Sequence, residues 1–242
     1  MRITVVLPTY NEAENIGPMV EALLGLSVPN LGILVVDDAS PDGTGEIADH
    51  LAAEHPGRVA VLHRTGPRGL GRAYIAGFGQ ALADGADVVV QMDCDFSHNP
   101  ADVPRLLAHI PEYDLVIGSR YIPGGGVAED WGWERRLLSW WANFYARTIL
   151  SSRIHDITGG FRAWRRETLE GMDLSRVRSQ GYVFQVEMAY LCERLSYRIR
   201  EVPIRFEERQ KGRSKMSLRV QIEAALRVWQ VRWRYRHIAA RR

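Results

Sequence analysis

Short runs of apolar and β-branched residues alternate with segments of helical period through the first half of the chain, and each run stops in a polar loop rich in glycine or proline. That alternation constrains the fold more than any other feature, because it is the pattern of a parallel sheet with crossover helices. It predicts strands over Ile3–Leu7, Gly32–Val36, Val59–His63, Asp87–Met92 and Asp114–Gly118. Helices are predicted over Ala13–Leu24, Thr44–Glu54, Leu70–Ala83 and Pro100–His109. Ligands in such sheets bind outside the carboxyl ends of the strands, so the residues after each strand are the informative ones. They read PTYNE, DDASPDGT, TGPRGLG, DCDFSHNP and SRYIPGGG. The second half predicts helices over Glu134–Leu150 and Val183–Leu195, a strand over Arg198–Glu207 and a long final helix from Ser217. The stretch HDITGGFRAW stays without an assigned element.

A chain of 242 residues, 46% hydrophobic, suffices for one sizeable α/β core and is short for two. Its two cysteines, Cys94 and Cys192, exclude a disulfide framework and a zinc site of paired cysteines, and a reducing cytosol is expected. Met1 leads at once into a strand, so no secretory leader is expected. The longest apolar runs fall far below the roughly 18 to 20 residues that cross a bilayer. Charge is unevenly spread: residues 209–242 carry +10, which leaves −8 on the remainder.

The fourth loop raises the sharpest question, since Asp93 and Asp95 flank a single residue at the mouth of a strand. A period of two turns both side chains the same way unless a turn intervenes, and two convergent carboxylates repel. They coexist if one is protonated, or if a hard cation such as Mg²⁺ or Mn²⁺ sits between them and a phosphate-bearing substrate. The blander alternative is a cap on the helix at Pro100 or a simple turn. Asp37, Asp38 and Asp42 after the second strand add carboxylates to the same edge. Asp42 reads as turn and helix start, whereas Asp38 is placed to accept hydrogen bonds from a nucleotide. A dinucleotide-binding glycine motif is excluded, because its third glycine would fall on Tyr74 and the first strand runs into PTYNE.

PTYNEAENI, VVDDASPDGT, GLGRAY, the D-x-D with FSHNP, GSRY, DITGGFR, GYVFQVE and EVPIRFEER together resemble the family-2 glycosyltransferases of GT-A fold, among them the dolichol-phosphate and bacterial polyprenol-phosphate mannose synthases. The resemblance runs from about Ile3 to Met216. It implies a catalytic domain over 1–216, GDP-mannose as donor, a polyprenyl phosphate as acceptor and Mg²⁺ or Mn²⁺ as cofactor. Pro8, Tyr10, Glu12, Val36 and Asp38 would contact the nucleotide, with Asp93 and Cys94 alongside. Asp95 would be the main metal ligand, with Ser97 beside it. Arg120 belongs to GSRY, and Arg209 and Lys215 would close over the diphosphate. Cys94 stands where the family usually has alanine.

The implied chemistry suits these residues. A nucleoside diphosphate leaves once its charge is neutralised, and a cation on Asp95 together with Arg209 and Lys215 would do so. A lipid monophosphate is already an anion, so it needs orientation by cations, for which Arg120, Arg135 and Ser139 are the catalytic candidates beside Asp95. Arg135 and Ser139 lie four apart on one helix face. Such in-line attack inverts the anomeric carbon. Asp156 is read as binding sugar hydroxyls or tuning Arg162, or as a buried arginine partner. Gln185 reaches toward the sugar, Glu187 is a structural ion-pair partner, and His98 and His155 are structural. UDP-glucose is the alternative donor, since relatives that use it share the D-x-D and the first loop.

The segment EERQKGRSKMS, with four positive charges, reads as a lid over phosphates. Beyond it, residues 217–242 form a basic helix in which Leu218, Ile222, Leu226, Trp229 and Trp233 share a stripe and Arg219, Arg227, Arg232, Arg234 and Arg236 lie elsewhere. It either packs on the core or touches an anionic bilayer. A peripheral place on the cytoplasmic face of a membrane, or on a membrane-embedded partner protein, follows. A nucleic-acid-binding module would explain the tail, but the acidic loops would repel a phosphate backbone, and no nucleic-acid partner is expected. The sequence QVRW at Gln230–Trp233 is one residue short of the processive-synthase motif Q-x-x-R-W.

Overall fold

The computed structural model describes residues 1–128, 131–208 and 218–238, with side chains of 218–222 excluded. In chain order the elements are β1 (Ile3–Thr9), α1 (Ile16–Leu24), β2 (Leu31–Asp37), α2 (Thr44–Glu54), β3 (Val59–His63), α3 (Leu70–Ala83), β4 (Val88–Gln91), α4 (Val103–Leu107) and β5 (Leu115–Ser119). There follow β6 (Gly126–Val127), α5 (Trp133–Leu150), β7 (Arg162–Arg165), α6 (Arg166–Gly171), α7 (Tyr182–Arg194), β8 (Ile199–Pro203), β9 (Arg205–Phe206) and α8 (Leu218–Tyr235).

Seven strands form the central sheet in the order β3-β2-β1-β4-β7-β5-β8. All neighbours pair in parallel except β7, which runs antiparallel between β4 and β5 with Arg162 opposite both Gln91 and Ile117. Alternate residues feed two cores, as a sheet covered on both faces requires. Val5, Leu7, Val88 and Val90 pack with α1, α2 and α4, whereas Val6, Val89, Leu115 and Trp164 pack with α3, α5, α7 and α8. Each fully buried aliphatic or phenylalanine side chain contributes about 1.5–3 kcal/mol.

Helix α3 sits unusually close to its neighbours for a reason visible in GLGRAYIAGFG. A Cβ on Gly77 would meet Val6 at 2.5 Å and Val36 at 2.9 Å, and one on Gly71 would meet the Ser179 carbonyl at 2.8 Å and Phe184 at 2.9 Å. Gly71 is thus a helix-packing glycine.

Three features depart from the sequence expectation. The unassigned FRAW becomes strand β7 inside the sheet. The strand expected over Arg198–Glu207 divides, because after Pro203 the chain leaves the main sheet and β9 pairs instead with β6. The helix expected over Pro100–His109 starts as a 3-10 turn, Pro100–Asp102, capped by the Asn99 side chain on the Ala101 N–H, and continues as α4.

Helix α8 packs on α5 and α7 through Val228, Val231 and Tyr235. The Leu226, Trp229 and Trp233 part of its expected stripe faces outward instead, with Trp233 65% exposed. A helix can carry two apolar stripes, and the one whose tyrosine reaches a buried carboxylate takes the core side. The Tyr235 hydroxyl donates to Glu187 at 2.8 Å, and Arg234 pairs with the same fully buried carboxylate. Glu187 also accepts the Ser179 N–H at 2.7 Å, so it pins α8 to α7 as an ion-pair partner.

Candidate active site

The carboxyl ends of β1, β2 and β4 bring the first, second and fourth loops together. Asn11 and Ala39, both with φ near +60°, turn two of these loops sharply, and the Asn11 N–H bonds the Ser40 hydroxyl at 3.1 Å. Tyr10 lies under the Arg68 guanidinium, 4.6 Å from its ring centroid, and accepts a hydrogen bond from Arg68 at 2.8 Å. Glu12 takes the Asn15 amide at 2.7 Å, and its N–H donates to Thr44. Asp38, almost wholly buried, receives Arg64 and the Gly69 N–H, the latter at 2.7 Å. Asp42 behaves as turn chemistry: it accepts from Thr44 and the Ala13 N–H, and burial, which alone would raise its pKa, is outweighed by these bonds.

Pro8 lies in β1 with its register partner Val36 in β2. Val36 turns its side chain into the core against Gly77, so that side chain cannot line a nucleotide site. Cys94 likewise points into the core beside Val88 and Val90, and burial pushes its thiol pKa up.

The D-x-D loop reverses at Phe96, whose φ of 60° is costly for a bulky residue and marks strain of the kind found at functional sites. Asp93 accepts the Tyr74 hydroxyl at 2.7 Å, and Asp95 accepts the Ser97 N–H at 3.1 Å. The Asp93 N–H points at Nδ1 of His98, 3.4 Å away. His98 is buried, stacked on Phe161 with ring centroids 5.2 Å apart. Burial lowers its pKa against the opposing pull of Asp93 and Asp95, so it is a neutral packing residue whose Nδ1 accepts.

Phe206 joins this loop to Arg120 and Trp131. It meets His98 edge-on at 5.2 Å and Trp131 at 5.5 Å, and Arg120 lies 5.3 Å from its ring centroid. Arg120 donates from Nε and Nη2 to the two Asp156 carboxylate oxygens, each at 2.7 Å, and Nη2 also donates to the Thr158 hydroxyl at 2.9 Å. Burial would raise the Asp156 pKa, but the Arg120 charge and hydrogen bonds hold it below the usual carboxylate range. Asp156 is therefore the hydrogen-bonded buried partner of Arg120, and its charge also offsets the lowering of the Arg162 pKa by burial. Arg135 stands 3.9 Å over the Trp131 ring, paired at 2.8 Å with Glu208. Ser139, a turn further along α5, bonds the Tyr121 hydroxyl at 2.7 Å. Arg209 and Lys215 lie outside the described residues.

A glycosyl transferase family 2 profile matches residues 4–172. This chain belongs to that family. It is 49% identical over 243 residues, covering 100% of this chain and 99% of the relative, to an undecaprenyl-phosphate mannosyltransferase of Micrococcus luteus. It is also 49% identical over 236 residues, 96% and 88% of the two chains, to a polyprenol monophosphomannose synthase of Mycolicibacterium smegmatis. Among solved structures, a glucosyl-3-phosphoglycerate synthase of Mycobacterium tuberculosis has a TM-score of 0.68 at 18% identity, covering 98% of this chain and 79% of its own. A mannosyltransferase of Pyrobaculum calidifontis has a TM-score of 0.62 at 21% identity, covering 93% and 61%. The fold is GT-A, and the protein is a glycosyltransferase.

In this glycosyltransferase the expected metal ligands at the D-x-D, the Asp95 carboxylate and the Ser97 hydroxyl, offer oxygen alone. Among the described residues no three His, Cys, Asp or Glu side chains gather as a metal cage. That set fits a hard divalent cation that completes its shell with substrate phosphate oxygens, the usual arrangement for Mg²⁺. Gln185 accepts a hydrogen bond from Gln91 and is buried, with Nε2 3.2 Å from where a Cβ on Gly160 would stand. A Cβ on Gly160 would also stand 3.6 Å from Asp93 Oδ2 and 3.5 Å from His98. His155 pairs with Glu201 at 2.8 Å, away from this cluster. Tyr74, Phe206 and Trp131 were not singled out by the sequence: only the fold brings each of these aromatics beside these residues.

Proposed function

We propose that this enzyme transfers mannose from GDP-mannose to a polyprenyl monophosphate with inversion at the anomeric carbon. The near full-length identity to two enzymes of that description carries the reading, and the two-sided cleft supports it. On the donor side, Tyr10, Glu12 and Asp38 bind the nucleoside and Asp93 the ribose or sugar. Asp95 and Ser97 would hold Mg²⁺ or Mn²⁺, and a cation there neutralises the leaving diphosphate. On the acceptor side, Arg135 exchanges Glu208 for the lipid phosphate and Ser139 donates beside it, which aims an anionic oxygen without a general base. Arg120, its charge matched by Asp156, braces this side of the site against Phe206. Arg209 and Lys215 close the diphosphate.

The outward surface suits a lipid acceptor. Trp133, Leu137, Trp140, Trp141 and Phe144 form one exposed stripe on α5, beside Trp229 and Trp233 of the neighbouring α8. Among the described residues no helix is long and apolar enough to cross a membrane. Tryptophan with nearby arginine is the chemistry of an interfacial surface, so this face rests on the cytoplasmic leaflet of a membrane. Cosedimentation with anionic vesicles is expected to fall in the double variant Trp140→Ala, Trp141→Ala, and undiminished binding would refute that placement.

The transfer itself is tested with purified protein, a short-chain polyprenyl phosphate and labelled sugar nucleotides. Label is expected to enter lipid from GDP-mannose in the presence of Mg²⁺ or Mn²⁺. Incorporation from UDP-glucose alone would overturn the mannosyl reading.

A further inference from the structure

We infer that Tyr74 is the positioning residue that sets the orientation of Asp93, and through it the grip on the donor. The inference rests on the donor-site reading above and extends it to a residue on a different helix. Tyr74 is fully buried on α3, with its ring parallel to Phe184 of α7 at 5.7 Å and 4° and beside Phe78 at 5.7 Å. A buried phenol needs a partner for its O–H. Here that partner is Oδ1 of Asp93, at 2.7 Å.

The local structure is built around this contact. Gly71 and Gly77, one turn to either side, let α3 approach α7 and the sheet closely enough for the hydroxyl to reach the end of β4. The Phe184 stack fixes the aromatic plane. Asp93 is held from behind as well, since its N–H points at His98 Nδ1. Oδ1 takes the Tyr74 hydroxyl, and Oδ2 lies on the side of Gly160, 3.6 Å from where a Cβ there would stand. A carboxylate attached by two rotatable bonds is thereby set in one rotamer before the donor arrives, and no ordering cost falls on binding.

Burial and the neighbouring Asp93 carboxylate raise the Tyr74 pKa, so the phenol keeps its proton. The phenol donates and does not exchange its proton.

Kinetics of Tyr74→Phe test this, because phenylalanine keeps the ring and loses only the hydroxyl. The variant is expected to raise the donor KM about tenfold, in the range of one hydrogen bond to a charged group, with kcat and the acceptor KM within about twofold. Phe78→Leu serves as the packing control: it is expected to lower the melting temperature and leave the donor KM unchanged. A Tyr74→Phe enzyme with the wild-type donor KM would overturn the inference and leave the donor-site reading standing. Equal rises of the donor KM in Tyr74→Phe and Phe78→Leu would overturn it too, because loss of packing would then account for the effect. Wild-type protein that turns over no nucleotide sugar would bring down the donor-site reading, and this inference with it.

Discussion

The two sides of the cleft solve the burial of charge in opposite ways. In the D-x-D loop two carboxylates lie three residues from end to end, and the Tyr74 hydroxyl and the Ser97 N–H hydrogen-bond them. Across Phe206, Arg120 and Asp156 cancel each other inside a doubly bonded pair. A buried opposite pair satisfies itself and supports the fold, and breaking it strands one charge. Two neighbouring carboxylates that accept from a hydroxyl and an amide form a cluster of one sign, which on the proposed reading a cation bound with the substrate completes. The first arrangement belongs to architecture, and on that reading the second serves ligand binding.

Four substitutions sharpen or break that contrast. Asp156→Asn leaves Arg120 buried without its counter-charge, and unfolding in urea is expected to show a loss of about 3–5 kcal/mol. Its pH dependence is specific. The folded pKa of Asp156 is depressed, so its contribution is complete above the unfolded value of about 3.9 and is lost as pH falls through the folded value. The gap between wild type and variant is therefore expected to narrow in acid. Asp95→Asn keeps an acceptor for the Ser97 N–H, so stability is expected to hold while transferase rate drops at least about a hundredfold. A large stability loss there would erase the distinction between the two sides.

Glu187→Gln tests a second architectural carboxylate, the one that ties α8 to α7. A loss of about 1–3 kcal/mol is expected, with earlier proteolysis near α8 as the local readout. Smallest in stability is Arg135→Ala. Its partner Glu208 is exposed, so the pair contributes at most about 1 kcal/mol, while the acceptor KM rises and the donor KM holds. A variant with unaltered acceptor KM would move Arg135 to the architectural group with Arg120.

The alternating half of the chain was the legible half. Strands β1 to β5 and helices α1 to α3 lie where hydrophobic period puts them, because each buries a full face and the period records it. Strand β7 escaped because RAWR begins with an arginine that the fold buries completely, an unusual place for that residue type. The divided strand at Pro203 and the outward turn of Trp229 and Trp233 depend on partners distant in sequence. The site followed the same division. The carboxylates announce themselves after strands, and the pairing of Arg120 with Asp156 joins segments 36 residues apart that no local pattern connects. Val36 and Cys94 sit on functional loops by sequence and in the core by structure.

The central claim is that the D-x-D carboxylates are completed by a cation and a diphosphate together. Calorimetric titration of GDP into the wild-type protein and into Asp95→Asn, each with and without Mn²⁺, addresses it most directly. GDP is expected to bind wild type at least about tenfold more tightly with Mn²⁺, and the variant is expected to lose that gain. Equal GDP affinity with and without the metal in wild type, or a gain that survives in Asp95→Asn, would contradict the account.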